Sequence, residues 1–134
     1  RNIRQLLSFL AGELAQAHGQ RFFAQLCEAV GIYLNARGVF VAEWIGPEDD
    51  RHAQTFAFWH AGRQYPNITY PLAGTPCFEN RHGKICVFHK NVRTLFPSDP
   101  DVQRFQIESY VSVPFTDCGG KVVGHLALFD VQAR

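Results

Sequence analysis

The stretch PLAGTPCFEN, residues 71–80, places a cysteine directly after Thr-Pro, in a position that suits the first turn of a helix. Thr75 can cap such a helix, and Pro76 suits its first position, where no intrahelical N–H bond is needed. Cys77 would then lie among unpaired backbone N–H groups at the positive end of the helix dipole, which can lower the pKa of a thiol. This position allows a nucleophile, a thiol that contacts a ligand, a metal ligand, or a small buried residue without chemistry.

Two kinds of chemistry can be tested against the neighbours of this cysteine. Cys77, His82, Cys86 and His89 form the pattern C-x4-H-x3-C-x2-H, and all four residue types are good zinc or iron ligands. The pattern lacks the tight cysteine pair of structural zinc sites, so packing is favoured over metal binding. A catalytic Cys77 would need His82 or His89 as a base, and no catalytic motif surrounds them. We therefore expect no metal ligand and no catalytic residue in this chain.

Composition limits the class of protein. The 134 residues suit one domain, and 46% of them are apolar, which is enough for a substantial core. The formal net charge is +1 without a long run of either sign, so neither a nucleic-acid nor a membrane partner is expected. Four cysteines without a C-x-x-C pair favour reduced thiols in a cytoplasmic protein. Arg1 is not a natural start, so we expect a segment of a longer protein.

Hydrophobic periodicity predicts the elements that must position these residues. Apolar residues at helical spacing predict helices over 3–17 and 20–36, and alternation with a period of two then predicts strands. The predicted strands cover residues 39–45, 54–60, 67–72, 85–88, 109–115 and 121–129, with a helix over 75–82 and a short one from 99 toward 107. Helices at one end and hairpin-linked strands indicate an α+β fold with an antiparallel sheet. The long span 62–108 is typical of a binding loop or lid.

Four stretches resemble the GAF domain family. They are YPLAGTPC at 70–77, GKICVFHKNVRTLFPSD at 83–99, ESYVSVPF at 108–115 and KVVGHLALFD at 121–130. The resemblance implies an α+β, GAF-like (PAS-related) fold whose antiparallel sheet has five or six strands. Helices would cover one face of the sheet, and a lid of loops and short helices would cover the other. It also implies a signalling and dimerisation helix at 1–18 and a GAF domain at 19–134.

The lid would roof a small-molecule pocket. We expect the helix start at Cys77 to direct free N–H groups into it, favouring an anionic or carbonyl-bearing ligand. A cyclic nucleotide is not supported, because no Asp-Glu pair follows Phe105, and no Cys-His dipeptide supports a bilin. The predicted pocket residues are Cys77, Phe78, Cys86, Phe88, Phe96, Phe105 and Tyr110.

The resemblance implies a sensory domain of a multidomain signalling protein. Its output domain, in the same parent chain, would be of the histidine kinase (two-component) or diguanylate cyclase (GGDEF) type. Leu6, Leu10 and Leu14 form an apolar stripe that would support a homodimer through the N-terminal helix. The ligand and any cofactor remain unidentified. Two alternatives stay open: a thiol enzyme similar to the free methionine sulfoxide reductases, and a dimerisation module with a vestigial pocket.

Overall fold

The structure is a computed structural model that describes residue 19 and residues 21–134. Within this described part of the chain, seven strands form a single antiparallel sheet. The strands are β1 (Gly38–Ile45), β2 (His52–His60), β3 (Arg63–Gln64), β4 (Thr69–Pro71), β5 (Cys86–Phe88), β6 (Ser109–Thr116) and β7 (Val122–Asp130). Their order across the sheet is β3-β2-β1-β7-β6-β5, and β4 also pairs with β2.

Helical elements precede the first strand and connect later strands of the sheet. The helix α1 covers residues 21–34 and precedes β1. Two further helices, α2 (Val92–Leu95) and α3 (Pro100–Arg104), lie between β5 and β6. Single 3₁₀ turns cover Glu48–Asp50 and Phe78–His82. No helix of the described residues is long and apolar enough to cross a membrane.

The predicted α+β class with an antiparallel sheet is confirmed. The sheet has seven strands instead of five or six because two short strands, β3 and β4, both pair with β2. The predicted hairpin at 117–120 joins β6 to β7, and the Asp117 carboxylate accepts hydrogen bonds from the backbone N–H groups of Gly119 and Lys121. The predicted helix over 3–17, with its proposed dimer stripe, lies outside the described residues.

Alternation along β1 divides the core into two layers. Val39 and Val41 face α1, where they pack with Phe23 and Cys27. Phe40 and Ala42 face the lid and belong to a second cluster, which is rich in aromatic rings. Because successive side chains of a strand point to opposite faces, this one strand contributes to both cores.

Two glycines allow the sheet to pack closely. A Cβ atom on Gly124 of β7 would lie 2.3 Å from the carbonyl oxygen of Ala42 on β1. A Cβ atom on Gly38 would lie 2.2 Å from the ring of Phe129. Both distances are shorter than a carbon contact allows, so these positions bring backbone and ring together in a way that a side chain would prevent.

The lid is attached to the sheet at several points. Asp99 caps α3, since its Oδ1 accepts hydrogen bonds from the N–H groups of Asp101 and Val102, and Pro100 occupies the first turn. At the start of α2, the N–H of Val92 donates to the carbonyl oxygen of Glu108, just before β6. The lid predicted over 62–108 therefore contains regular elements and fixed anchors.

The helix predicted over 75–82 forms only in part, as a 3₁₀ helix over Phe78–His82. Only a five-residue 3₁₀ turn follows Cys77, and Cys77 itself occupies its N-terminal flank. Thr75 does not cap the turn, because its hydroxyl donates to the carbonyl oxygen of Leu72 at 2.7 Å. The N–H groups of Phe78 and Asn80 already donate to the carbonyls of Thr75 and Cys77, so these two donors are not free for a ligand.

Candidate ligand pocket

A small cavity lies between the lid and the sheet. Its volume is about 30 Å³, room for one or two water molecules. Aromatic rings of the sheet form its floor, and residues of β4, the 75–77 turn and α3 form its roof. The lining residues are Phe40, Phe58, Ile68, Tyr70, Thr75, Cys77, Asp99, Asp101, Val102, Phe105, Ile107, Tyr110 and Phe129.

The structure brings only part of the predicted pocket together. Cys77, Phe105 and Tyr110 line the cavity. The other four predicted residues do not line it. Phe78, Phe88 and Phe96 are half-buried against the surrounding core, and Cys86 is buried beside Asn80. Whether any of the seven contacts a ligand stays a prediction.

The thiol of Cys77 is buried and protonated. It lies 3.2 Å from the hydroxyl oxygen of Thr75, and only 3% of the residue is exposed. Burial raises its pKa to about 11, and this effect outweighs the contacts with Thr75 and Tyr110 that favour the thiolate. The reactive, low-pKa thiol allowed by the helix-dipole argument is therefore not present at this position. Burial raises the pKa of Cys86 as well.

A continuous chain of hydrogen bonds runs behind the cavity. Tyr70 Oη lies 2.6 Å from His125 Nε2, and His125 Nδ1 lies 2.9 Å from Asn80 Oδ1. Ser112 donates to the same oxygen at 2.6 Å, and Asn80 Nδ2 donates to the carbonyl of Lys84 at 2.6 Å. Asn80, Ser112 and His125 are completely buried. This chain of hydrogen bonds therefore satisfies buried polar groups that would otherwise destabilise this face of the core.

These contacts determine the protonation of His125. Asn80 Oδ1 is an acceptor, because the amide nitrogen of the same side chain donates to Lys84. His125 Nδ1 must therefore carry a proton and donate to Asn80. Burial lowers the pKa of His125 to about 3, so the ring is neutral and Nε2 accepts the proton of Tyr70. The hydroxyl proton of Tyr70 is thus not available to a ligand.

Tyr110 presents the contrasting case. Its hydroxyl group is buried and has no hydrogen-bond partner in the described part of the chain. The Cys77 thiol and the Ser112 side chain lie close enough to influence the pKa of Tyr110, but neither meets the distance and angle of a hydrogen bond to its hydroxyl. Burial raises the pKa of Tyr110 well above its usual value, so the hydroxyl keeps its proton. This is an unused donor at the wall of the cavity.

Two carboxyl groups give the cavity an acidic edge. Asp99 and Asp101 both line it, and burial raises the pKa of each. Arg104 forms an ion pair with Asp101 at 3.1 Å, which partly compensates its charge. Negative charge here disfavours an anionic ligand. The two carboxylates and the absence of a full helix at Cys77 disfavour the anionic ligand expected there, and the carbonyl-bearing alternative stays a prediction.

The four residues of the C-x4-H-x3-C-x2-H pattern do not converge on a metal site. Cys77 and Cys86 are buried thiols, while His82 is exposed and His89 Nδ1 lies 2.9 Å from the carbonyl oxygen of Arg134. Among the described residues, no group of three or more His, Cys, Asp or Glu side chains has a metal-binding arrangement. This donor set does not fit a bound metal.

The pocket predicted from the sequence did not include the residues of this chain of hydrogen bonds, which are Tyr70, Asn80, Ser112 and His125. Alternation could have found one of them: Phe129, Ala127 and His125 share a register on β7, so a histidine there faces the aromatic core. Tyr70 and Asn80 have no such signal, because each lies at the edge of an irregular segment.

Comparison with known proteins agrees with this architecture. The GAF domain family model matches residues 18–134, and the chain belongs to this family. None of the curated protein sequences compared matches the chain. Similarity to solved structures is at the level of the fold.

Three of these structures illustrate the similarity. The blue-light absorbing form of the PixJ GAF domain from Thermosynechococcus elongatus is 17% identical, covers 86% of this chain and 71% of its own, and has a TM-score of 0.62. A NreA protein from Staphylococcus aureus, mutated in its nitrate binding site, is 12% identical, with coverage of 85% and 84% and a TM-score of 0.63. The phycocyanobilin-bound GAF domain of a cyanobacterial phytochrome is 12% identical, with coverage of 100% and 84% and a TM-score of 0.62.

Proposed function

We propose that this GAF domain is a sensory module that binds a small molecule in the cavity beneath its lid. The observation that carries the proposal is the buried hydroxyl of Tyr110, which has no partner among the described residues although the neighbouring polar groups are satisfied. A buried donor without an acceptor costs about 1–3 kcal/mol. A ligand that supplies the acceptor would recover this free energy.

The lining residues define the class of ligand. Phe40, Phe58 and Phe129 favour an apolar or planar body, and Tyr110 favours one acceptor group such as a carbonyl or ether oxygen. Asp99 and Asp101 favour a neutral or cationic molecule over an anion. The ligand we propose is therefore a small, uncharged or cationic molecule with one acceptor end. A nitrate-like anion fits the carboxylate edge less well.

The size of the cavity implies a conformational response. A volume of about 30 Å³ is well below the roughly 300–1,000 Å³ of sites for larger organic ligands. A ligand would therefore favour a state in which the lid, including Phe105, has moved away from the sheet. Such a population shift would pass to the terminal helices and on to an output domain in a longer, cytoplasmic parent chain, of the histidine kinase or diguanylate cyclase type.

We propose no catalytic step within this chain. The thiols of Cys77 and Cys86 both have raised pKa values, which disfavours the thiolate that a sulfoxide reductase of this kind would need. The small cavity does favour a second candidate, a dimerisation module with a vestigial pocket. That candidate requires self-association through residues 3–17. Light scattering on the wild type and on a form lacking residues 1–17 tests the homodimer in either case.

Native mass spectrometry of freshly purified protein tests the sensory proposal. We expect a retained small molecule in the wild type, and its loss in Tyr110→Phe, which keeps the ring but removes the unused hydroxyl. Tyr33→Phe is the matched control, since Tyr33 is 88% exposed. If neither protein retains a molecule and Tyr110→Phe only raises the melting temperature, the vestigial-pocket candidate is favoured instead.

A further inference from the structure

A second concave surface lies on the lid side of the sheet, at the end where β1 finishes and β7 begins. It has a volume of about 150 Å³ and shares no lining residue with the cavity described above. We call it the Trp44 cleft. Its lining residues are Trp44, Glu48, Arg51, Arg81, His82, Lys121 and Val122.

The cations of the Trp44 cleft are positioned without being neutralised. Arg51 Nη1 donates to the carbonyl oxygen of Gly46 at 2.7 Å. The guanidinium carbon of Arg81 lies 3.9 Å from the centre of the Phe78 ring. Both contacts restrain an arginine and leave its charge intact. Within the described residues, neither these arginines nor Lys121 forms an ion pair.

The tryptophan of the cleft also carries an unused hydrogen-bond donor. Trp44 lines the cleft, and its Nε1–H is buried without an acceptor among the described residues. The ring packs edge-on against His125, with 4.8 Å between the ring centres. A buried N–H without an acceptor is unfavourable, and a bound acceptor would remove this cost. It is an observation independent of the basic side chains.

We propose that the Trp44 cleft binds a phosphate-type oxyanion, either as the free ion or as the phosphoryl group of a small molecule. The cleft has three basic side chains, those of Arg51, Arg81 and Lys121, and one carboxylate, that of Glu48. Its net charge from these groups is therefore +2, which matches a dianion. Guanidinium groups donate paired hydrogen bonds to phosphate oxygens, and an indole N–H supplies a further donor. The whole chain carries a net charge of only +1, so this concentration of cations is local.

Fluorescence gives a direct test, because Trp44 and Trp59 are the only tryptophans. In a Trp59→Phe background, Trp44 becomes the single reporter. Titration with inorganic phosphate at constant ionic strength should give a saturable change, and chloride should give none. We expect Arg51→Gln and Arg81→Gln each to weaken binding by roughly tenfold. The matched control is Arg63→Gln, which removes an exposed charge on β3.

Calorimetry extends the test to the indole donor. Trp44→Phe should weaken phosphate binding without lowering the melting temperature of the phosphate-free protein, because the unpaired donor is removed and the ring is kept. Phosphoethanolamine provides a second arm. Binding at least as tight as that of inorganic phosphate indicates a phosphorylated molecule, and weaker binding indicates the free ion. The proposal is overturned if the fluorescence change with phosphate is not saturable, if chloride produces the same change, or if the change persists in both arginine variants.

Discussion

Tyr70 and His125 form a 2.6 Å hydrogen bond in which the phenol donates to Nε2 of a neutral imidazole. The direction follows from Asn80, whose carbonyl oxygen accepts the Nδ1 proton of the same ring. Protonating the ring would place a second hydrogen on Nε2, against the proton of Tyr70. This pair therefore requires neutral His125 in the folded protein, which agrees with its pKa of about 3.

The free energy of unfolding should fall as the pH drops below about 6.5. The unfolded chain takes up a proton at the ordinary histidine pKa, whereas folded His125 stays neutral until about pH 3. Stability from this residue is thus fully present above pH 6.5 and decreases by at most about 1.4 kcal/mol per pH unit below it. Denaturant unfolding between pH 7 and 5.5 measures the slope and avoids the carboxyl titrations.

Substitution of the histidine identifies the source of that slope. We expect His125→Gln to be less stable at pH 7 and to show a flatter dependence on pH over the same range. His52→Gln, at the partly exposed first residue of β2, is the matched control. Equal slopes in the wild type and in His125→Gln would show that another group titrates.

Asn80→Ala should destabilise the protein by roughly 3 kcal/mol or more. The side chain is fully buried, accepts from Ser112 and His125, and donates to the carbonyl of Lys84, so its removal takes a hydrogen-bond partner from each of these three groups. Chemical denaturation gives the change in unfolding free energy. Ser112→Ala is the comparison variant, and we expect it to lower the free energy of unfolding by about 1 kcal/mol. If Asn80→Ala lowers it by no more than Ser112→Ala does, the proposed importance of the network is contradicted.

Native thiol labelling should modify Cys118 first. Cys118 lies exposed in the β6–β7 turn, whereas Cys27, Cys77 and Cys86 are buried, and burial raises the pKa of all three. Mass spectrometry after brief iodoacetamide treatment should therefore find one adduct, and none in Cys118→Ser. Rapid labelling of the buried thiols in that variant would reopen the thiol-enzyme alternative.

Gly124→Ala should cost about 3 kcal/mol or more, at or above the usual upper range for overpacking. The new methyl group would lie 2.3 Å from the Ala42 carbonyl oxygen, and paired strands cannot separate there without losing hydrogen bonds. Gly119→Ala provides the control, because its Cβ atom would meet only the Asp117 carboxylate at 3.4 Å. Thermal unfolding of the two variants compares them, and similar melting temperatures would contradict the close approach.

Periodicity and turn chemistry were sufficient to predict the α+β class with its antiparallel sheet and the final hairpin. The reason is that alternation in β1 and β7 and the residues of the 117–120 turn act locally. Covering of both faces of the sheet, by contrast, was implied by the family resemblance. Element bounds near the lid were less predictable. The 75–82 segment has helix-start residues, but the Thr75 hydroxyl donates to the carbonyl oxygen of Leu72 instead of capping, and only a short 3₁₀ helix forms.

The candidate sites depended on tertiary structure. The polar chain joins residues 70, 80, 112 and 125, which strand pairing brings together from separate parts of the sequence. The pKa of Cys77 moved opposite to the local expectation because the helix-dipole argument assumed access to solvent, whereas burial penalises the thiolate. Arg51, Arg81 and Lys121 are likewise scattered in a nearly neutral sequence, and only the fold gathers them around Trp44. Local patterns therefore determined the elements, whereas desolvation and charge at the sites follow from long-range packing.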